Sequence, residues 1–363
     1  MKRTGILIIA TLIAVMAETQ ARAQEETQAE AQEKRMAVVE TSTCYMRIKP
    51  DYESALETQE LMGTVVEIVG EEGYWREIVS PQPYKAWTTE KTLVEMSPEQ
   101  IKAYEDAPKY MFTGLYGHVY MEPDEKSQTI TDLVGGDVML AVLKNTDSTA
   151  SGAGRSRFVT KGKWAAVMLP SGRTGWVKKE HLRPLGDRID IKQGDKAEGL
   201  VSSEKMEDII ASAMKLLGSP YLWGGMSAKG VDCSGMVRIS AIMNDVLLPR
   251  NASQMINCGS EVEMRYDESF WNETDRLSAD GEFKTEFIEE MNVRVKNLKR
   301  GDLVFFGTPA TAEKTRRITH VSIYLGDNHI IHSSHKVRIN SLIPGEADYY
   351  ENSHNLIAAR RFK

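Results

Sequence analysis

Residues 220–237 read PYLWGGMSAKGVDCSGMV, and the interpretation of the whole chain turns on this stretch. A single cysteine, Cys233, stands directly before an apolar run, with Asp232 and Ser234 beside it and Gly224, Gly225, Gly230 and Gly235 around it. A cysteine that merely fills a core needs no such setting. Glycines let the backbone turn tightly and let a second molecule approach it closely. Met236, Ile239, Ile242 and Met243 follow at helical spacing, so Cys233 is expected at a helix N-terminus. Free amide groups and the helix dipole favour a thiolate there, as a nucleophilic cysteine requires.

Such a thiol also needs a base within reach and a third group to orient that base. Of the seven histidines, His118 and His181 fall in a β-rich segment far upstream and His354 lies near the chain end. That leaves four: His320 opens the apolar stretch HVSIYLG, His329 and His332 share the stretch HIIHSS, and His335 follows directly after it. Side chains alternate along a strand, so His329 and His332 face opposite ways and at most one can join Cys233. A zinc site made from Cys233, Cys258, His320 and His332 is not supported. The two cysteines lie 25 residues apart with no C-x-x-C pair. No metal and no cofactor are expected.

Around these residues the texture is helical first and stranded later. SSEKMEDIIASAMKLLGSP (202–220) carries Met206, Ile209, Ile210, Ala213, Leu216 and Leu217 at helical spacing, ended by Gly218 and Pro220. DLVFFG, HVSIYLG and HIIHSS then read as strands, which predicts an α+β domain over 187–363.

The upstream half contains a repeat. KPDYES (49–54) matches EPDEKS (122–127), and Gly63 matches Gly136 at the same offset of 73 residues. Trp75, Trp87 and Leu93 match Trp164, Trp176 and Leu182 at an offset of 89, so the second copy holds an insertion, placed in NTDSTASGAGRS (145–156). Short alternating strands split by Gly and Pro turns predict a small β-barrel for each copy, over 36–97 and 111–186. Between them SPEQIKAYEDA carries a Ser cap followed by Pro and Glu, predicting a helical linker over 98–110.

At 363 residues the chain is long enough for several domains, and its net charge of −7 argues against a nucleic-acid partner. Lys2 and Arg3, the apolar run Gly5–Ala17 and the small-x-small site Ala21-Arg22-Ala23 predict a signal peptide over 1–23. A polar leader over 24–35 follows. The expected product is an exported, periplasmic or secreted, soluble monomer with no stable membrane anchor. Three cysteines is an odd number for an oxidising compartment, so at least one of Cys44, Cys233 and Cys258 is unpaired.

YLWGG…GVDCSGMV, RGDLVFFG and THVSIYLGDNHIIHSS, in that order, resemble the NlpC-type cell-wall peptidases, papain-like cysteine enzymes that cut peptidoglycan stem peptides. The upstream copies resemble bacterial SH3-type domains, with Ala86 in the first copy where the second has Gly175. The resemblance implies Cys233 as nucleophile, His320 as base and acid, His332 as orienter, and Tyr221 near the oxyanion. Two such domains before the enzyme resemble the dipeptidyl-peptidase branch, which releases L-Ala-γ-D-Glu from stem peptides with a free amino end. That branch implies pocket roles for Trp223 and, from the first barrel, Glu57 and Tyr84. A carboxylate must meet the free ammonium, and Asp232, with Ser234 beside it, is the candidate next to the thiol. The alternative is an endopeptidase acting on intact peptidoglycan with the barrels as wall-binding modules. Residues 259–296 depart from the minimal family pattern as a long insertion.

Overall fold

The computed structural model describes residues 34–81, 84–144, 158–196, 199–265, 267–310 and 314–363. The expected signal peptide, most of the leader and the loop insertion 145–156 lie outside the described residues.

The first repeat copy forms β1 (Arg35–Val39), β2 (Thr43–Arg47), β3 (Leu56–Leu61), β4 (Val65–Glu72), β5 (Trp75–Val79), β6 (Lys85–Thr89) and β7 (Leu93–Met96). They make one antiparallel sheet in the order β3-β2-β6-β5-β4-β1-β7. The second copy forms β8 (Lys109–Phe112), β9 (Tyr116–Tyr120), β10 (Thr129–Val134), β11 (Val138–Ala141), β12 (Thr160–Lys161), β13 (Trp164–Met168), β14 (Thr174–Lys178) and β15 (Leu182–Pro184). Its sheet runs β10-β9-β14-β13-β11-β8-β15, with β12 on β13. In neither sheet do the two end strands pair with each other among the described residues. The repeat is therefore structural: Trp75 and Trp164 open equivalent strands and are buried in both copies. Gly175 stands where the first copy has Ala86 because a Cβ there would lie 2.5 Å from Val119 Cγ1.

Helix α1 (Pro98–Asp106) joins the sheets. Gln100 N donates to Ser97 Oγ at 3.3 Å, the Ser cap the sequence predicts, and Ser97 N donates to Gln100 Oε1 at 2.8 Å, which makes the cap reciprocal. The two repeat glycines meet across the junction in left-handed turns. A Cβ on Gly63 would lie 2.4 Å from the Val138 carbonyl oxygen, and one on Gly136 would lie 2.8 Å from Leu61 Cδ1. Asp137, fully buried, accepts from Met62 N at 3.2 Å and Val134 N at 2.8 Å, stitching the first domain to the second.

The C-terminal domain begins with α2 (Ser203–Lys215) and α3 (Cys233–Ile242), which precede a six-stranded antiparallel sheet. Its strands are β16 (Ser260–Glu261), β17 (Leu303–Thr308), β18 (Arg317–Gly326), β19 (His329–Ser334), β20 (Lys336–Ser341) and β21 (Leu356–Arg361), ordered β16-β21-β17-β18-β19-β20. Alternation sorts its side chains into two cores. Leu303, Phe305, Val321 and Ile323 join Met236 and Val237 of α3, together with Leu61, Val134 and Val138 from the two upstream sheets. Val304, Phe306 and Tyr324 join Phe287, Met291 and Val295 of α4 (Thr285–Val295). The 259–296 insertion thus supplies the apolar cover for one side of the sheet.

Gly235, in the first turn of α3, has no room for a side chain, because a Cβ would lie 2.0 Å from the Gly225 carbonyl oxygen. Gly235→Ala is expected to force the 220s loop away from α3 and to cost about 1–3 kcal/mol. Gly186→Ala, whose nearest atom would lie at 3.5 Å, should be close to neutral. Urea unfolding midpoints check this; equal midpoints for the two variants would refute it.

Candidate active site

Asp232 caps α3 and delivers Cys233 as the first residue of that helix. Behind it, the backbone of the preceding loop is pinned to the start of β20: Gly218 N donates to Val337 O and Tyr221 N to His335 O, both at 2.9 Å. Ser333, beside His332, donates to the Val231 carbonyl at 2.8 Å. These bonds hold the cysteine loop against the strands that carry the histidines. The Cys233 sulfur accepts from the backbone N–H groups of Ser234 and of Val321, the residue after His320.

The two histidines meet as strand parity allows. His320 Nε2 lies 2.8 Å from His332 Nδ1, while His329 turns away to Asp348 and the Asp327 carbonyl. His332 is fully buried, with Tyr350 edge-on to its ring at 4.6 Å. Burial, reinforced by His332 and Arg338, pulls the His320 imidazole down to about 3, and burial takes His332 to about 4. Burial and the adjacent Asp232 push the Cys233 thiol up to about 11. This corrects the expectation that the helix start lowers it. Two backbone donors do not offset the loss of solvent around the sulfur, so the resting pair is neutral thiol and neutral imidazole.

A cleft of about 290 Å³ opens beside the thiol. Tyr221, Trp223, Asp232, Ser234 and Ile318 line it from the C-terminal domain, and Glu57 and Tyr84 from the first sheet domain. Trp223 is 69% exposed, so its ring is available to a ligand. Tyr221 is partly exposed, and burial with Cys233 close by pushes its hydroxyl up to about 12. The cleft also holds two residues that sequence reasoning missed, Arg250 and Asn251 of LPRNAS.

Arg250 changes the role open to Asp232. Its guanidinium grips Asp232 in a fork, at 3.1 Å to Oδ1 and 2.7 Å to Oδ2. Gly224 N, Gly235 N and Ser234 Oγ donate to the same carboxylate. Every ready acceptor direction on Asp232 is taken and its charge is balanced, so it is poorly placed to receive a substrate ammonium. The Ser234 hydroxyl is likewise spent, donating to Asp232 and accepting from Arg250 at 3.0 Å. Glu57 differs: among the described residues no side-chain hydrogen bond or ion pair engages it. Two carboxylates and one guanidinium leave the cleft with one unbalanced negative charge, at Glu57. The first domain is fixed in place here, because Arg250 Nε donates to Thr58 Oγ1 at 2.8 Å and Asn251 Nδ2 donates to the Tyr84 hydroxyl.

Residues 218–354, which carry all three of Cys233, His320 and His332, match the NlpC/P60 family. The C-terminal domain is an NlpC/P60 peptidase domain. The chain is 25% identical over 297 residues to a gamma-D-glutamyl-L-lysine dipeptidyl-peptidase of Bacillus cereus, covering 80% of this chain and 70% of that one. It is 24% identical to dipeptidyl-peptidase 6 of Lysinibacillus sphaericus, over 84% of this chain and 91% of that protein. In architecture it is similar to the crystal structure of an NlpC/P60 family protein from Bacillus cereus. That comparison has a TM-score of 0.62 and 20% identity, and covers 90% of this chain and 99% of the other. The chain thus joins an NlpC/P60 family hydrolase domain to two additional N-terminal β-sheet domains.

All three cysteines of this NlpC/P60 protein are buried and unpaired, and only Cys233 opens onto the cleft. Its raised thiol implies that the thiolate fraction grows about tenfold per pH unit up to about pH 11. Alkylation of Cys233 by iodoacetamide, followed by peptide mass spectrometry, is expected to keep accelerating beyond pH 9. A plateau near pH 6 would instead reveal a preformed thiolate–imidazolium pair.

Proposed function

We propose that the protein is a cysteine dipeptidyl-peptidase that cleaves the γ-D-Glu–diamino acid bond of peptidoglycan stem peptides bearing a free N-terminal L-Ala. The observation that carries this reading is the unpaired Glu57 carboxylate, contributed by the first sheet domain to the cleft that contains Cys233. A terminal ammonium is the ligand such a carboxylate selects, and a charge-assisted hydrogen bond of this kind contributes about 1.5–3 kcal/mol. The same domain walls off the cleft, with Tyr84 tied to Asn251 and Thr58 to Arg250. An alanine still linked to a glycan strand has neither the charge nor the room. The reading agrees with the dipeptidyl-peptidase names of the relatives. It includes the SH3-type barrel architecture expected of the sheet domains and export directed by residues 1–23.

Chemically, the Cys233 sulfur attacks the γ-carbonyl of D-Glu while the thiol proton passes to His320. The C–N bond then breaks, His320 gives that proton to the leaving amine, and L-Ala-γ-D-Glu remains as a thioester on Cys233. Water, deprotonated by His320, cleaves the thioester and regenerates the thiol. Tyr221 borders the cleft where the carbonyl oxygen would gain charge, and its high hydroxyl pKa keeps it a donor throughout the working range.

The test is hydrolysis of L-Ala-γ-D-Glu-diaminopimelate and its lysine analogue beside their N-acetylated twins, followed by mass spectrometry. Cleavage of only the free-amine peptides, with release of L-Ala-γ-D-Glu, is the expected outcome. Equal cleavage of both forms, or cleavage of intact sacculi at the same rate, would overturn the proposal in favour of a wall-cutting endopeptidase. Glu57→Gln should lower kcat/KM for the free-amine peptide about 10- to 100-fold, mainly through KM, and leave the unfolding midpoint unchanged. An unaltered KM would remove Glu57 from the pocket chemistry.

A further inference from the structure

Beyond the Cys-His-His set, the sheet carries a fourth polar side chain in the same row. His320, His332 and Asn340 sit on the neighbouring strands β18, β19 and β20. Asn340 lies two residues beyond Arg338, the residue directly opposite His332, so it is the diagonal neighbour of His332 on one face. It is 7% exposed, and its Oδ1 is 2.9 Å from His332 Nε2. Its amide orientation is not free. Asn340 Nδ2 donates to the backbone carbonyl of Asp348 at 2.6 Å, and a carbonyl oxygen accepts only. The amide oxygen therefore faces the histidine.

This fixes proton positions along the row. An amide oxygen can only accept, so His332 Nε2 carries its ring's hydrogen. A neutral imidazole has one N–H, so His332 Nδ1 is a bare acceptor, and His320 Nε2, at 2.8 Å, must donate to it. The remaining nitrogen of His320, Nδ1, is left with a free lone pair. We propose that Asn340 is a positioning residue of the catalytic set: held by the Asp348 carbonyl, it locks both histidines in the tautomers that leave His320 Nδ1 bare to take the Cys233 proton. The proposal rests on the cysteine-peptidase reading for its activity readout, but not for its tautomer readout.

The surroundings keep both rings neutral. Arg338 faces the pair from β20, with Glu351 3.9 Å from its guanidinium, and Tyr350 and the Cys233 thiol complete the setting. Burial holds both imidazoles well below their ordinary value. Without Asn340 the His332 Nε2–H would be a buried, unpaired donor. The row would then shift by one proton: His332 Nδ1–H donates to His320 Nε2, and His320 Nδ1 carries a hydrogen and cannot act as base.

Two substitutions and one spectrum test this. An unpaired buried N–H is costly enough to move the population 10- to 100-fold toward the inactive arrangement. Asn340→Leu is therefore expected to lower kcat about 10- to 100-fold with KM nearly unchanged. Asn340→Asp restores an acceptor, so it should regain much of that loss and move the acid limb of kcat to higher pH, because a carboxylate favours the imidazolium. Loss below twofold in Asn340→Leu, or equal loss in both variants with no movement of the acid limb, would overturn the proposal. The two-bond 1H–15N spectrum of the 15N-histidine-labelled wild-type protein decides independently of activity and of how the variants fold. His320 and His332 both as Nε2–H tautomers supports the assignment, and Nδ1–H on His320 refutes it. If no stem peptide is cut at all, the functional reading fails while this spectrum still judges the tautomers.

Discussion

The carboxylate of Asp232 is the point on which the rest of the site depends. It caps α3, accepts from Gly224 N and Ser234 Oγ, and is gripped by Arg250, so one side chain binds the loop, the helix and a residue 18 positions further on. Arg250 continues to Thr58 in the first sheet domain. A buried pair of this kind is a weak source of stability, because desolvation of both charges consumes most of their attraction. Losing either partner is another matter, leaving an uncompensated buried charge at about 3–5 kcal/mol. The pair therefore acts as a geometric lock. The glycines follow from it: drawing the 220s loop down onto α3 leaves a space at Gly235 that only a hydrogen fills.

The same lock explains why the upstream domains belong to the enzyme and are not tethered modules. Leu61, Val134 and Val138 enter the same apolar core as Ile239 and Ile242 of α3. Lys229, in the cysteine loop, reaches Ser42 of the first domain at 2.9 Å and Asp132 of the second at 2.6 Å. The duplicated turns at Gly63 and Gly136 have diverged in use. One abuts the second domain, while the other abuts the first domain and α3 together. A duplicated sheet domain has thus become two unlike parts of one body, and only the first copy contributes side chains to the cleft.

What the sequence made legible were features set by local rules. The cap at Ser97, the helix start at Cys233, the repeat of Trp75 and Trp164, and the parity that separates His329 from His332 all depend on near neighbours or on a fixed period. What it hid depends on distant partners. Nothing in GVDCSG says that Asp232 is already matched by Arg250, so the clamp formed by the residue read as an ammonium receptor is invisible there. The upward shift of the thiol is hidden for the same reason: helix starts are visible in sequence, whereas the depth of a sulfur is set by every element packed around it. Asn340 carries no motif of its own. Its significance appears only when β20 pairs with β19 and Asp348 comes round to hold the amide.

The electrostatics of the site then follow a single logic. Charge is kept out of the catalytic row at rest: the thiol is protonated, both imidazoles are neutral, and the nearest carboxylate is cancelled by Arg250. On the proposed reading, moving the thiol proton to His320 would create a thiolate and an imidazolium together, each stabilised by the other and the thiolate also by the N–H groups of Ser234 and Val321. In so dry a setting that separation is unfavourable until an electrophilic carbonyl stands ready to take the sulfur's electrons. Among the described residues the one uncompensated charge in the cleft lies at Glu57, on the first sheet domain, where the proposed reading has it act on binding and not on the nucleophile. That reading divides recognition and chemistry between different domains. On the proposed reading, a peptide whose ammonium met Glu57 would be held with its reacting bond at Cys233, so that binding by one domain would set up chemistry in the other.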